Sequence, residues 1–258
     1  MRIAYFDCIA GISGDMALGA LVDAGADFDE VRSHLARLPL EPFDLDVQEV
    51  DQQGIRALRV SVHTASVGLI RTYASIRAVL DDADLPPEAM EIARRIFHRL
   101  AEAEARVHRK EIGAVTFHEA DAVDTMVGVV GTALALTSLG VERVYASSVP
   151  TGLGMAKTEH GILPIPTPVV LELLRGAPLY SKGVTAELTT TTGAAILAAL
   201  SHAYGELPPI IVEAVGYGAG SIRLEFPDVL RVIVGQGTVV HGSPQEIERD
   251  GTPQGKGS

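Results

Sequence analysis

The chain has 258 residues, 47% hydrophobic but only 5% aromatic and without Trp, so its core must come from Ala, Val, Leu and Ile. Its 21 Lys and Arg against 33 Asp and Glu give a formal charge of -12, which excludes a general nucleic-acid backbone binder. The single cysteine, Cys8, excludes an internal disulfide, no run approaches the ~20 apolar residues that span a bilayer, and the N-terminus lacks a signal-peptide pattern. A cytoplasmic protein with no membrane or nucleic-acid partner is expected.

Residues 2–7 alternate and are β-prone, predicting a strand that ends at Asp7. The glycine-bearing loop Cys8–Gly14 then leads into a helix over 15–24, stopped by Gly25. A second helix is predicted over Phe28–Leu38, closed by Pro39, and a hairpin over 43–63 that turns around Gln52–Gly54. Residues 64–70 read as irregular. Helices follow at Thr72–Asp81 and at Pro87–Arg109, the latter amphipathic and opened by a double proline. An Ala- and Val-rich, buried helix is predicted over 119–138 and a strand over 141–147. Residues 150–168, rich in proline and glycine, read as a long functional loop. Helices at Pro168–Arg175 and Gly193–Ala203 and strands at Ile210–Val215 and Val229–Val234 complete the pattern. The fold class is α/β, a mixed sheet with flanking helices and a glycine-rich strand-loop-helix at the N-terminus. One domain is expected over 1–241, and 242–258 as a disordered tail or linker.

Several constellations carry chemistry. In Asp7–Met16 a strand ends, a glycine loop turns and a helix begins, an arrangement whose backbone N–H groups hold anions. Asp7 and Asp15 flank the loop, and if they meet across it they accept a divalent cation; otherwise Ser13 caps the helix and Asp15 complements its dipole. Cys8 is either a soft nickel ligand or a small buried residue. His118, Glu119, Asp121 and Asp124 fall together at the mouth of a buried helix, with imidazole and carboxylate donors for nickel or another divalent ion. Lys157 and His160 lie in the proline-stiffened loop, Lys157 suited to a phosphate or carboxylate and His160 to metal or proton transfer. Thr189–Thr192 and Gly193 precede an alanine-rich helix, as an anion cradle or as a plain N-cap. The glycines at 216, 218 and 220 bring backbone close to a neighbour. His98 and His108 read as ordinary, partly exposed residues of the long helix.

Six segments together resemble the nickel insertion protein family that acts on pyridinium-3,5-bisthiocarboxylic acid mononucleotide. They are Tyr5–Gly25, Arg71–Arg77, Phe117–Thr125, Lys157–Gly176, Glu187–Leu197 and Val212–Gly220. The FDCxAGISGDM and HGxLPxPxPxxLELLxG patterns carry most of the specificity. The resemblance implies an enzyme of the metal chelatase-type lyase class that binds Ni(2+). It implies insertion of nickel between two thiocarboxylate sulfurs and the pyridinium carbon, giving the (SCS)Ni(II) pincer cofactor of lactate racemase-type enzymes. CTP with Mg(2+) or Mn(2+) is implied for the full-length family protein.

Carried onto this chain, the catalytic positions are Asp7, Asp15, Lys157 and His160. Substrate binding falls to Ser13, Gly14, Thr190, Thr192 and Gly193, and metal binding to Cys8, His118, Glu119 and Asp124. The chain departs from the family pattern in lacking a histidine-rich stretch near His63, and at Asp121, Gly128 and Thr191. It also stops where the family continues into a C-terminal part that binds CTP, so a missing or separate partner part is expected, and a homo-oligomer is left open. The alternatives are a non-enzymatic nickel chaperone, a divalent-metal-dependent phosphate-ester hydrolase or transferase built on Asp7 and Asp15, and a structural module.

Overall fold

Strand β1 (Arg2–Asp7) buries Ile3, Ala4, Tyr5 and Phe6 in succession, so the strand has no solvent face and lies inside the main sheet. The computed structural model describes residues 1–64, 71–117, 122–158 and 160–238. Helices α1 (Gly14–Asp23) and α2 (Phe28–Leu35) follow, then the hairpin β2 (Phe43–Gln52) and β3 (Ile55–Thr64). The short β4 (Arg71–Thr72) leads into α3 (Tyr73–Asp81) and the long α4 (Pro87–His108). A 3-10 turn at Ile112–Ala114 and β5 (Thr116–Phe117) precede α5 (Ala122–Ser138), and β6 (Arg143–Ala146) returns to the sheet. Then come β7 (Val149–Pro150), β8 (Met155–Thr158), β9 (Gly161–Pro164), α6 (Pro168–Leu173) and β10 (Leu179–Tyr180). Helix α7 (Thr191–Leu200), β11 (Ser201–Tyr204), β12 (Ile210–Ala219) and β13 (Val229–Gly237) complete the described chain.

Among the described residues the main sheet has seven strands in the order β11-β6-β1-β13-β12-β3-β2. Strands β11, β6 and β1 are mutually parallel, and β13 pairs antiparallel with both β1 and β12. The α/β class with a mixed sheet and flanking helices is therefore observed. Among the described residues no helix is long and apolar enough to cross a membrane.

The structure differs from the sequence expectation in several places. Residues 150–168 are not one loop, because Met155–Thr158 and Gly161–Pro164 pair as an antiparallel ribbon. Pro164, Pro166 and Pro168 stand at the end of β9 and beyond it, where no ladder N–H is needed, and Pro150 ends β7. The helix expected to reach Ala203 ends at Leu200, and Ser201–Tyr204 pair with β6, so sheet pairing overrides the helical preference of the alanines. Helix α2 stops at Leu35 instead of Leu38. Strand β12 runs on to Ala219 through two glycines that read as breakers in the sequence. Of the irregular stretch expected at 64–70, Thr64 ends β3 instead, and residues 65–70, the start of the helix expected from 119 and the tail from 242 lie outside the described residues.

Helix α1 is apolar on nearly every side and is buried from Met16 to Leu21. It lies across β12, β3 and β13 on one side and against α5 on the other. The approach to β12 is so close that a Cβ on Gly218 would stand 1.9 Å from the Met16 carbonyl oxygen, and one on Gly216 2.0 Å from that of Ala20. Toward α5, a Cβ on Gly14 would stand 3.2 Å from Gly128 Cα and 2.9 Å from Thr192 Cγ2. Gly218→Ala is expected to destabilise the protein by about 3 kcal/mol in urea unfolding, because backbone has to move. Gly113→Ala, where a Cβ meets nothing within 4 Å, is expected to change stability by no more than about 0.5 kcal/mol.

Candidate functional site

The site is framed by two loops that the sequence keeps far apart. Residues 8–13 connect β1 to α1, and residues 187–190 lead into α7. Ile12 N–H donates to Leu188 O at 3.0 Å and Thr190 N–H returns to Ile12 O at 3.0 Å, so the two loops form a short parallel bridge. Gly11 makes this possible. Its φ is +97°, and a Cβ would fall 1.8 Å from Leu188 O. Thr189, buried, anchors the second loop by donating to Pro150 O at 2.8 Å.

The bridge brings helix starts together. Ser13 caps α1, accepting from Met16 N–H at 3.4 Å, and donates a short hydrogen bond to Asp15. Thr190 caps α7, accepting from Gly193 N–H at 3.2 Å. Thr192 and Thr125, in the first turns of α7 and α5, stand 3.4 Å apart through their hydroxyls. The starts of α1, α5 and α7 therefore meet beside a cleft of about 370 Å³. Ser13, Asp15, Asp124, Glu187, Thr190 and Asp228 line it. Helix starts carry partial positive charge that suits a phosphate, and the carboxylates suit a cation.

Asp228 is the buried member. Its carboxylate accepts from Ile222 N–H at 2.8 Å, and burial together with the charge of Asp15 pushes its pKa above the ordinary value. The Ile222 N–H and Arg59 pull the other way and do not offset the burial. Sequence reading missed Asp228, because a lone Asp between proline and valine carries no local motif.

Asp7 and Cys8 lie elsewhere, so Asp7 and Asp15 do not share a site. Asp7 is bound to Arg231, whose Nε donates to Oδ2 at 3.0 Å. Both Asp7 and Cys8 line a second cavity of about 700 Å³ beyond the carboxyl ends of β1, β6 and β11, together with Ser147, Tyr180, Lys182 and Glu206. The Cys8 thiol points at Phe6 O, 3.8 Å away, and burial pushes its pKa up to about 12. It is a protonated thiol at neutral pH, whereas the thiolate is the ligating form. Lys182 was not anticipated: its ammonium donates to Ile9 O and sits 4.1 Å over the Phe226 ring. Burial lowers its pKa, with Asp7 opposing that shift.

Lys157 and His160 stand on the β8–β9 ribbon and do not line the Asp15 cleft. Lys157 is exposed. His160 stacks on His108, with ring centroids 4.7 Å apart, and His108 Nε2 lies 3.2 Å from the carboxylate of buried Glu104. His108 is thus more than an ordinary surface residue, and its i,i+4 spacing from Glu104 on α4 was the available signal. His118 and Glu119 lie outside the described residues. Among the described residues no group of three or more His, Cys, Asp or Glu is placed to hold a metal ion.

Two outcomes follow from these environments. Cys8 is expected to resist a thiol reagent such as dithionitrobenzoate in the folded protein at about pH 8 and to react at once in denaturant, because its thiolate fraction is minute when folded. The raised pKa of Asp228 means the folded state holds that proton more tightly than the unfolded chain. Its stability contribution is therefore complete below the ordinary value of 3.8 and is lost as pH rises through the folded value. Asp228→Asn keeps an acceptor for Ile222 and is expected to raise the urea midpoint at neutral pH, with the gain shrinking toward about pH 3.

The nickel insertion protein family model matches residues 4–252. Proteins of two strains of Desulfitobacterium hafniense, both named pyridinium-3,5-bisthiocarboxylic acid mononucleotide nickel insertion protein, are 46% and 45% identical over 236 residues. Each alignment covers 92% of this chain but 59% of the relative, so the chain spans about three-fifths of the length of those curated relatives. No solved structure matches. By the extent of both matches, the chain belongs to the nickel insertion protein family.

Proposed function

We propose that this chain forms the metal- and nucleotide-facing part of an enzyme that inserts nickel into pyridinium-3,5-bisthiocarboxylic acid mononucleotide. The observation that carries the reading is the meeting of three helix starts with Asp15, Asp124 and Asp228 in one cleft. The nucleotide phosphate is held by the helix starts, through Ser13 and Gly14 on α1 and through Thr190, Thr192 and Gly193 on α7. Nickel arrives on oxygen and nitrogen donors, Asp124 with His118 and Glu119, which are labile enough to surrender it to the thiocarboxylate sulfurs. A carbon–nickel bond replaces a ring C–H bond, so a proton must leave, and Asp15 is the carboxylate assigned to take it.

In this reading Cys8 stays a thiol and Asp7 holds Arg231, so both shape the neighbouring cavity. Lys157 and His160 act from the ribbon. The finer assignments belong to the same proposal: a chelatase-type lyase in the cytoplasm, a CTP step with Mg(2+) or Mn(2+) in the remaining portion of the full-length protein, and a product destined for lactate racemase-type enzymes. A phosphate-ester hydrolase built on an Asp7–Asp15 pair is disfavoured, because those residues line separate cavities.

Calorimetric titration of nickel(II), with and without the nucleotide, tests the reading. Nickel binding that the nucleotide tightens is expected, with Asp124→Asn weakening it by about tenfold. Nickel binding indifferent to the nucleotide identifies a chaperone instead, and binding of neither ligand removes the site from this chain.

A further inference from the structure

The Arg71–Arg77 segment has no part in the Asp15 cleft. Arg71 is ion-paired to Glu41, and Thr72 caps α3 by accepting from Ser75 N–H at 3.0 Å. Tyr73 and Arg77 remain, four residues apart on one face of α3, and both line a cavity of about 530 Å³ between α3 and α4. Helix α4 adds Arg94, Arg95 and Arg99 to the same cavity. Four guanidinium groups thus gather on a chain whose formal charge is -12. Only two carboxylates, Asp81 and Glu91, line the cavity among the described residues.

Local partners absorb half of this charge. Arg94 pairs with Asp81 at 2.6 Å, and Arg99 pairs with Glu102 at 2.9 Å. Arg95 donates to the Ala199 carbonyl at 2.7 Å, which neutralises nothing. Among the described residues Arg77 has no hydrogen-bond or ion-pair partner. Among the described residues Arg77 and Arg95 thus line the cavity without a carboxylate partner, and a bound anion would supply one. The floor is different in kind, formed by the buried Leu80 and Phe97 and by Ala199. At its edge the Tyr73 ring is held in place, its hydroxyl 3.1 Å from His98 Nδ1 and its ring edge-on to Phe117.

We propose that this cavity binds a small organic phosphate, its phosphate on Arg77 and Arg95 and its flat portion against Tyr73 and the apolar floor. The volume falls within the range of nucleotide-sized sites, roughly 300–1,000 Å³. The cavity is distinct from the Asp15 cleft, because Ala199 and Thr190 lie at opposite ends of α7, roughly 13 Å apart at 1.5 Å per residue. The ligand here is therefore an additional one, beyond the molecule that receives nickel.

Calorimetry with inorganic phosphate, uridine and uridine 5′-monophosphate tests the proposal. The monophosphate is expected to bind more tightly than phosphate and uridine to bind weakest, with affinity falling as salt rises. Arg77→Ala and Arg95→Ala are each expected to weaken the monophosphate by about tenfold. Asp15→Asn, in the other cleft, is expected to leave that affinity alone. Arg77 is exposed and makes no contact the fold needs, so its variant should melt at the wild-type temperature. Absence of binding for every phosphate at millimolar concentration, or undiminished binding in both arginine variants, overturns the proposal. Equal affinity for phosphate and the monophosphate overturns the organic part of it.

Discussion

The contact on which the rest depends is that of α1 with its neighbours through bare backbone. Gly216 and Gly218 let the helix lie directly on β12, and Gly14 lets its first turn meet α5 at Gly128. Side chains would hold these elements several ångströms further apart. At that distance the start of α1 would no longer reach the starts of α5 and α7, and the cleft between them would open into a groove. A dry contact between glycines is thus what places Asp15 beside Asp124 and Thr190.

The loop from Cys8 to Ser13 divides two environments of opposite character. On one side lies a cavity with a thiol, a half-buried lysine and a closed Asp7–Arg231 pair. On the other lies a cleft lined by Asp15, Asp124, Glu187 and Asp228, with Asp228 held above its ordinary pKa by burial and by Asp15.

The ribbon of β8 and β9 stands apart from the main sheet, with Met155 and Ile162 largely exposed. Its described tie to the helical layer includes the stack of His160 on His108, backed by buried Glu104. A two-stranded ribbon has little core of its own and depends on such contacts for its position. That places Lys157 and His160 on a support separate from the bridge that frames the Asp15 cleft.

Much of this was legible in the sequence, because it rests on local signals. The alternation of residues 2–7, the caps at Ser13 and in the threonine run before α7, and the double proline before α4 each fix an element from within a few residues. The motif residues of the first loop and of the threonine run were likewise visible as a chemistry in search of a place. The sequence did not determine which of them share a site. Only the tertiary structure separated Asp7 from Asp15, joined Ile12 to Thr189, and brought Asp228 from the far end of the chain into the cleft. Ser201–Tyr204 became a strand and Gly216–Gly218 stayed within one for the same reason. Pairing and close packing are contacts between distant residues, and their energy outweighs the local preferences that a sequence displays.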